Sequence, residues 1–368
     1  MALPLLVYLR FKPKHTVSIP SRFFLRNNPR FLEKGIWFHA CSLGEVRSLS
    51  PFVDALKTYE LNLSVITQTG YQEALRYVGA QVRYLPFEVF LPFWTSEQKV
   101  LVVLEAELWP LLFISAKAKG AKTILLNARI SDRSYDSYLR FAFLYRWIFG
   151  FVDIVFTQSE VDKKRLEILG ARDVRVSGNI KTFQRYDVTK QYAKDKYRRV
   201  VVLASTHAEE EALILARITL LKNDQLIVVP RHPERFAEVD LFLKAYAQEH
   251  HRSYARLTDK ECMSEDIILC DKMGELINIY AIADIVVLGG SFIEGVGGHN
   301  PLEPAFFKTK LITGKHTFNQ NALFPFVENS VMCDSEELED VFEHSEALLP
   351  SAIVNSGDME PILKEIIG

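Results

Sequence analysis

Short apolar, β-branched runs recur along the chain, at 36–40, 63–67, 82–86, 100–104, 123–127, 154–156 and 174–176, and again at 200–204, 226–230, 267–269, 283–288 and 311–313. Most close on polar residues or glycine, and residues at helical spacing follow. Runs this apolar need cover on both faces. Strands that alternate with helices find it in a parallel sheet with helices on either side, so the class is α/β. Between 183 and 199 the chain turns polar, with Gln184, Arg185, Asp187, Lys190, Gln191, Lys194, Asp195 and Lys196, and then the alternation restarts. This predicts two domains, 1–180 and 181–368, with the last helical pattern at 359–367 able to pack back on the first. A chain of 368 residues, 48% hydrophobic and 24% charged, suffices for two cores.

In a parallel sheet, polar groups just beyond the C-terminal strand ends gather in one crevice. Glu45, Gln68, Glu105, Glu107, Asn127 and Gln158 all stand there. Glu45 precedes a helical pattern at Val46, Leu49, Val53 and Leu56, which Pro51 interrupts or restarts. Its carboxylate either complements a helix N-terminus or takes a proton from an attacking hydroxyl. Glu105 and Glu107 flank Ala106, so on a continuing strand they point to one side. They can share a proton, bind a cation, or pair with Arg129 or Arg133. Lys181, after Gly178 and Asn179, is either a solvated lysine or a cation for an anionic donor.

One loop is denser still. After the run at 283–288 the chain reads GGSFIEGVGGHNPLEP over 289–304. Asn300 suits a helix cap, Pro301 the first helical position and Glu303 the carboxylate of a capping box. Strand, glycine loop and helix N-terminus together make an expected phosphate site, with Glu303 also placed to accept from sugar hydroxyls.

Other chemistries find little support. A net charge of -2 creates no field for nucleic acid. Cys41, Cys262, Cys270 and Cys333 form no CxxC pair, which speaks against a disulfide framework or a cysteine zinc site. HxxxH, GxSxG, a GxGxxG after the first strand and GxxxxGK[ST] are all missing, so histidines such as His39, His207, His232, His299 and His316 read as hydrogen-bonding neighbours rather than metal ligands. Residues 1–30 carry Arg10, Lys12, Lys14, His15, Arg22, Arg26 and Arg30 and no acid. With Phe11, Phe23 and Phe24 among them, this stretch is either a solvated basic arm or a contact with an anionic membrane surface. Residues 87–94, dense in aromatics between Pro86 and Pro92, are expected to be irregular and either buried or a second apolar contact surface.

Eight motifs in order, HACSLGE (39–45), EAELWP (105–110), NARISDRS (127–134), GNIK (178–181), STHAEEE (205–211), PRHPERF (230–236), MGEL (273–276) and GGHNPLEP (297–304), closely resemble the 3-deoxy-D-manno-octulosonic acid (Kdo) transferases of lipopolysaccharide synthesis. The resemblance implies a GT-B glycosyltransferase, two Rossmann-like domains facing across a cleft, that moves Kdo from CMP-Kdo to a lipid A precursor with inversion. It needs no cofactor or metal, and acts peripherally at the cytoplasmic face of the bacterial inner membrane. By motif, Glu45 corresponds to the base, and Glu105, Glu107 and Lys181 to groups that orient the reaction or stabilise its transition state. Pro230, Arg231, Met273, Gly274, Glu275, Asn300, Pro301, Leu302 and Glu303 correspond to the CMP site. The stretch before the first strand is shorter than the hydrophobic anchor common in the family. The alternative is another GT-B enzyme using a UDP-sugar, a transferase or an epimerase.

Overall fold

The structure is a computed structural model and describes residues 16–105, 107–260, 263–354 and 357–368. The chain forms two compact units, Met1–Gln184 with Ser356–Gly368, and Arg185–Asn355. Lys181 therefore belongs to the first unit, as does the C-terminal helix Glu360–Ile367.

In the first unit the strands are β1 (Ile36–Ala40), β2 (Leu61–Val65), β3 (Gln81–Tyr84), β4 (Val100–Leu104), β5 (Lys122–Ala128), β6 (Ile154–Thr157) and β7 (Val174–Val176). They pair in parallel in the order β3-β2-β1-β4-β5-β6-β7. Side chains of successive strand residues go to opposite faces. Ile36, Phe38, Val100, Val102 and Leu104 thus enter one core, while Trp37, Leu101 and Val103 enter the other. Burial on both faces is why the runs are apolar throughout rather than alternating.

The N-terminal helix Ser18–Phe24 and the segment after it pack against this unit rather than forming an arm. Asn28 is buried; its Nδ2 donates to the carbonyls of Ser21 and Tyr84, and its Oδ1 accepts from Tyr84 N–H. Arg22 Nε donates to the Leu85 carbonyl at 2.9 Å. Arg26 and Arg30 remain exposed, while Arg10, Lys12, Lys14, His15 and Phe11 lie outside the described residues. Residues 87–94 are more regular than expected: a 3-10 turn at Glu88–Phe90 runs into a helical turn at Leu91–Trp94, with Pro92 in its first turn, where the missing N–H costs nothing. Leu91 and Trp94 are buried, whereas Phe87, Val89 and Phe93 are exposed, so the segment is anchored and still presents an apolar surface. Pro51 likewise opens a second short helix, Ser50–Ala55, directly after Leu43–Ser48.

The second unit repeats the plan with β8 (Arg199–Thr206), β9 (Asp224–Pro230), β10 (Tyr254–Arg256), β11 (Ile267–Leu269), β12 (Ile285–Leu288), β13 (Lys310–Thr313) and β15 (Ser330–Met332), ordered β10-β11-β9-β8-β12-β13-β15 and parallel. A separate antiparallel pair joins β14 (Val327–Glu328) to β16 (Ala352–Ile353). Val200, Val202 and Ala204 enter one core and Val201 and Leu203 the other. In the middle of each sheet the strand order reverses, between β1 and β4 and between β8 and β12. Beyond the carboxyl ends of two such strands the loops part in opposite directions and leave a crevice, the place where open α/β sheets take ligands.

Candidate functional site

Glu45 follows β1 at the first of these switch points. Ser42 caps the helix Leu43–Ser48, its hydroxyl oxygen accepting from Glu45 N–H at 3.3 Å. The Glu45 carboxylate returns the contact. Oε1 accepts from Ser42 Oγ at 2.7 Å and Oε2 from the Cys41 backbone N–H at 2.8 Å. This is a capping box displaced by one residue, and it fixes the carboxylate's direction. Glu45 is only 8% exposed. Burial raises its pKa above the ordinary value, and the nearby charges of Glu105 and Glu107 add to that, against the lowering effect of the two hydrogen bonds.

Glu105 and Glu107 follow β4, across the switch point. The strand stops at Leu104, and Glu105 has φ +57°, a left-handed conformation that a non-glycine residue adopts at a cost. Strand alternation therefore stops before Glu107, and both carboxylates nonetheless lie close enough to act on Glu45. Glu105 Oε1 lies 3.5 Å from Lys181 Nζ, so its partner is this lysine rather than Arg129 or Arg133. Glu107 Oε2 accepts from Trp109 Nε1 at 2.8 Å. Lys181 is brought in by polar groups at three more strand ends. Asn127 Oδ1 accepts from Ile180 N–H, Asn179 Oδ1 accepts from Lys181 N–H, and Gln158 bridges Asn127 O and Asn179 Nδ2. Asn127 and Gln158 thus build the loop that presents Lys181, while Gln68 begins the helix Gln68–Ala74 that Thr67 caps.

Three more residues stand at this site: Cys41 and His39, both within the HACSLGE motif, and Arg22, which no motif contains. Burial pushes the Cys41 thiol up, and Glu107 and Glu45 push it further, so it stays protonated. His39 is fully buried, and the cost of charging it there holds its pKa at about 3. Its Nδ1 meets Ser64 O and Oγ, and its Nε2 lies 3.5 Å from Cys41 Sγ. Arg22 is lowered by burial but favoured by Cys41 and Glu107. No sequence spacing links a helix at 18–24 to residues 41 and 107.

In the second unit the glycine loop is arranged differently from the phosphate cradle expected of it. Glu210 is fully buried, and its carboxylate accepts from the backbone N–H groups of His207, Gly290, Ser291 and Phe292 at 2.6–3.1 Å. Those amides are already bound to an anion supplied by the chain. Gly289 has no room for a side chain here: a Cβ would lie 2.8 Å from Thr206 Cα and 2.9 Å from Glu210 Oε2. The following helix, Leu302–Phe306, begins one residue later than expected, with Pro301 at its cap position. Asn300 still serves it, Oδ1 accepting from Leu302 N–H, while Nδ2 meets Glu303 Oε1 and Tyr186 Oη at 3.3 Å. Leu302 is buried in the core.

The remaining expected site residues lie at the same sheet's carboxyl edge. Pro230 ends β9 and is buried; Arg231 follows it, exposed, with its N–H bonded to Thr206 O. Met273 is 61% exposed and Gly274 has φ +87°. Glu275 turns inward: Tyr192 Oη and Asn278 Nδ2 donate to it at 2.9 and 2.8 Å. Burial opposes its charge, but those hydrogen bonds and Lys272 hold its pKa below the usual range.

Two seven-stranded parallel sheets, each with its polar groups at a mid-sheet switch point, make a GT-B architecture. A UDP-N-acetylglucosamine 2-epimerase structure shares this fold at a TM-score of 0.53 and 13% identity, over 91% of this chain and 95% of that one. Residues 17–184 match the family model described as 3-deoxy-D-manno-octulosonic-acid transferase (kdotransferase). The 3-deoxy-D-manno-octulosonic acid transferase of Haemophilus influenzae is 34% identical over 92% of this chain and 85% of its own length. The chain belongs to the 3-deoxy-D-manno-octulosonic acid transferase family, glycosyltransferases of lipopolysaccharide biosynthesis. A bifunctional glycosyltransferase/methyltransferase of Fusobacterium nucleatum is also 34% identical, but this chain spans only 48% of that protein.

Proposed function

We propose that this chain transfers Kdo from CMP-Kdo to a lipid A precursor with inversion at the anomeric carbon, and that Glu45 is the general base. The state of Glu45 carries the reading. It is a buried carboxylate at a switch point, fixed in direction by Cys41 and Ser42, with its proton affinity raised by burial. A sugar hydroxyl is a poor nucleophile near neutral pH, so taking its proton as attack proceeds lowers the barrier. A carboxylate offers about four lone-pair sites, and the contacts from Cys41 and Ser42 leave room for an acceptor hydroxyl. Glu107 and the Glu105–Lys181 pair shape the charge around it. Pro230, Arg231, Met273, Gly274, Glu275, Asn300, Pro301, Leu302 and Glu303 take the CMP, Glu275 by anchoring the connection at Tyr192 rather than by direct contact. The enzyme works without a cofactor, peripherally at the cytoplasmic face of the inner membrane. Exposed Phe93, Phe143 and Trp147 in the first unit support a lipid contact.

The test is Glu45→Gln, which keeps the shape and removes the basicity. With saturating CMP-Kdo and lipid A precursor, turnover is expected to fall about 10²–10⁴-fold while CMP binding is retained. Near-parental turnover refutes the role.

A further inference from the structure

The switch point of the second sheet carries an unusual set of side chains. β9, β8 and β12 are adjacent and parallel, and a histidine stands beyond the carboxyl end of each: His232, His207 and His299. His207 and His299 stack at 5.1 Å with Nε2 facing Nε2 at 2.9 Å, and His232 meets His207 edge-on at 5.1 Å. Two facing nitrogens at that distance share one proton, one donating and the other accepting. Among the described residues no group of three His, Cys, Asp or Glu is arranged to hold a metal ion.

The loop amides that would ordinarily hold a phosphate beside this switch point are bound to Glu210. An anionic ligand entering there finds those amides taken and basic side chains beside them. The charged and titratable groups around the pair are Arg231 and His232 after β9, Arg235 in the turn beyond them, and Glu210 on the helix after β8. Glu210 is the one anion among them, and its charge is spread over backbone N–H donors including that of His207.

We propose that His207 and His299, flanked by His232 and Arg231, form the seat for the phosphate of the donor nucleotide, and that the pair takes up one proton from solvent when the phosphate enters. The inference rests on the reading of the second unit as the CMP-binding one. With the second proton, both Nε2–H groups turn from each other to phosphate oxygens as donors, and the hydrogen bond between the rings is exchanged for two to the anion. The unliganded protein is poised for this. Burial and the neighbouring cations hold His299 at about 4 and lower His207, so both rings are neutral near pH 7 until an anion favours the charged form. Affinity for the phosphate then rises as pH falls from the liganded towards the unliganded pKa values, about tenfold for each unit that separates them.

The test follows the histidine Cε1–H signals of the full chain by NMR from pH 4 to pH 8, alone, with CMP and with cytidine, using His→Gln variants at 207, 232 and 299 for assignment. The expected result is an upward shift of one unit or more in the titration of the His207–His299 pair with CMP and none with cytidine. Should one variant fail to fold, the number of signals moved by CMP but not by cytidine still decides the matter in the parent protein. CMP binding that leaves every histidine titration unmoved, or an equal shift with cytidine, overturns the phosphate seat while leaving the CMP reading intact. No thermal stabilisation by CMP at any pH overturns both.

Discussion

Glu45 serves twice, as the carboxylate of a helix cap and as the proposed base, and the cap is what aims it. Its raised pKa has a kinetic consequence. General-base catalysis needs the ionised form, so kcat/KM falls as pH drops through the pKa of Glu45 in the free enzyme, and the acid limb of the kcat/KM profile is expected above the 4.5 of a free glutamate. Any activity remaining in Glu45→Gln is expected to lack that limb, which a pH–rate series on parent and variant checks. Ser42→Ala removes one hydrogen bond that favours the carboxylate, so the limb moves further up. Glu210 is the corresponding residue of the second unit. Glu210→Ala strands the N–H groups of His207, Gly290, Ser291 and Phe292 inside the protein. At about 1–3 kcal/mol for each buried donor left unmet, the four together put the expected loss at roughly 4 kcal/mol or more, read from urea unfolding. Glu210→Gln, which can still accept from most of them, is expected to lose clearly less.

Elements are held to their units by contacts far apart in sequence. The C-terminal helix Glu360–Ile367 buries Ile362 and Ile366, one turn apart, in the core that Ile36, Phe38 and Val100 also line. Glu365 pairs with Lys122 on β5 and Arg175 on β7. Ile362→Ala is expected to cost about 2–5 kcal/mol and to open the tail to limited proteolysis. Gly357 controls the approach of this helix. A Cβ there would lie 1.5 Å from the Ser177 carbonyl oxygen, which backbone cannot yield without moving. Gly357→Ala is therefore expected to lower the melting temperature at least as much as Ile362→Ala. Equal stability to the parent would show that the tail is not packed on β7's end.

For the molecule as a whole, ligand and membrane binding are the measurable outcomes. CMP at a hundredfold excess over its Kd is expected to stabilise the fold to which it binds by about 2.7 kcal/mol, with UMP and GMP giving less. A thermal-shift comparison of the three nucleotides checks this. Among the described residues no helix is long and apolar enough to cross a membrane. The first unit nonetheless exposes Phe141, Phe143 and Trp147 around the helices Asp132–Arg140 and Ala142–Phe149, close in sequence to Arg129, Arg133, Arg140 and Arg146. Apolar anchors among basic residues suit an anionic lipid surface. The double variant Phe143→Ser and Trp147→Ser is expected to sediment less with anionic vesicles than the parent, and equal sedimentation rules the face out.

Sequence alone determined the parallel α/β class, because strands buried on both faces must be apolar throughout, and that is visible in one dimension. It also placed Glu45, Glu105 and Lys181 beyond strand ends, because a strand end is a local feature. Which of those ends adjoin was decided only by strand order, which sets β1 beside β4 and β8 beside β12. The left-handed turn at Glu105, the pairing of that residue with Lys181, and the capture of the glycine loop by Glu210 are all long-range or conformational facts. The glycine loop and the helix start after it, 289–304, read as a site for a ligand's phosphate. The tertiary structure gave the amides of Gly290, Ser291 and Phe292 to the chain's own carboxylate, because a buried loop must satisfy its N–H groups before any ligand arrives.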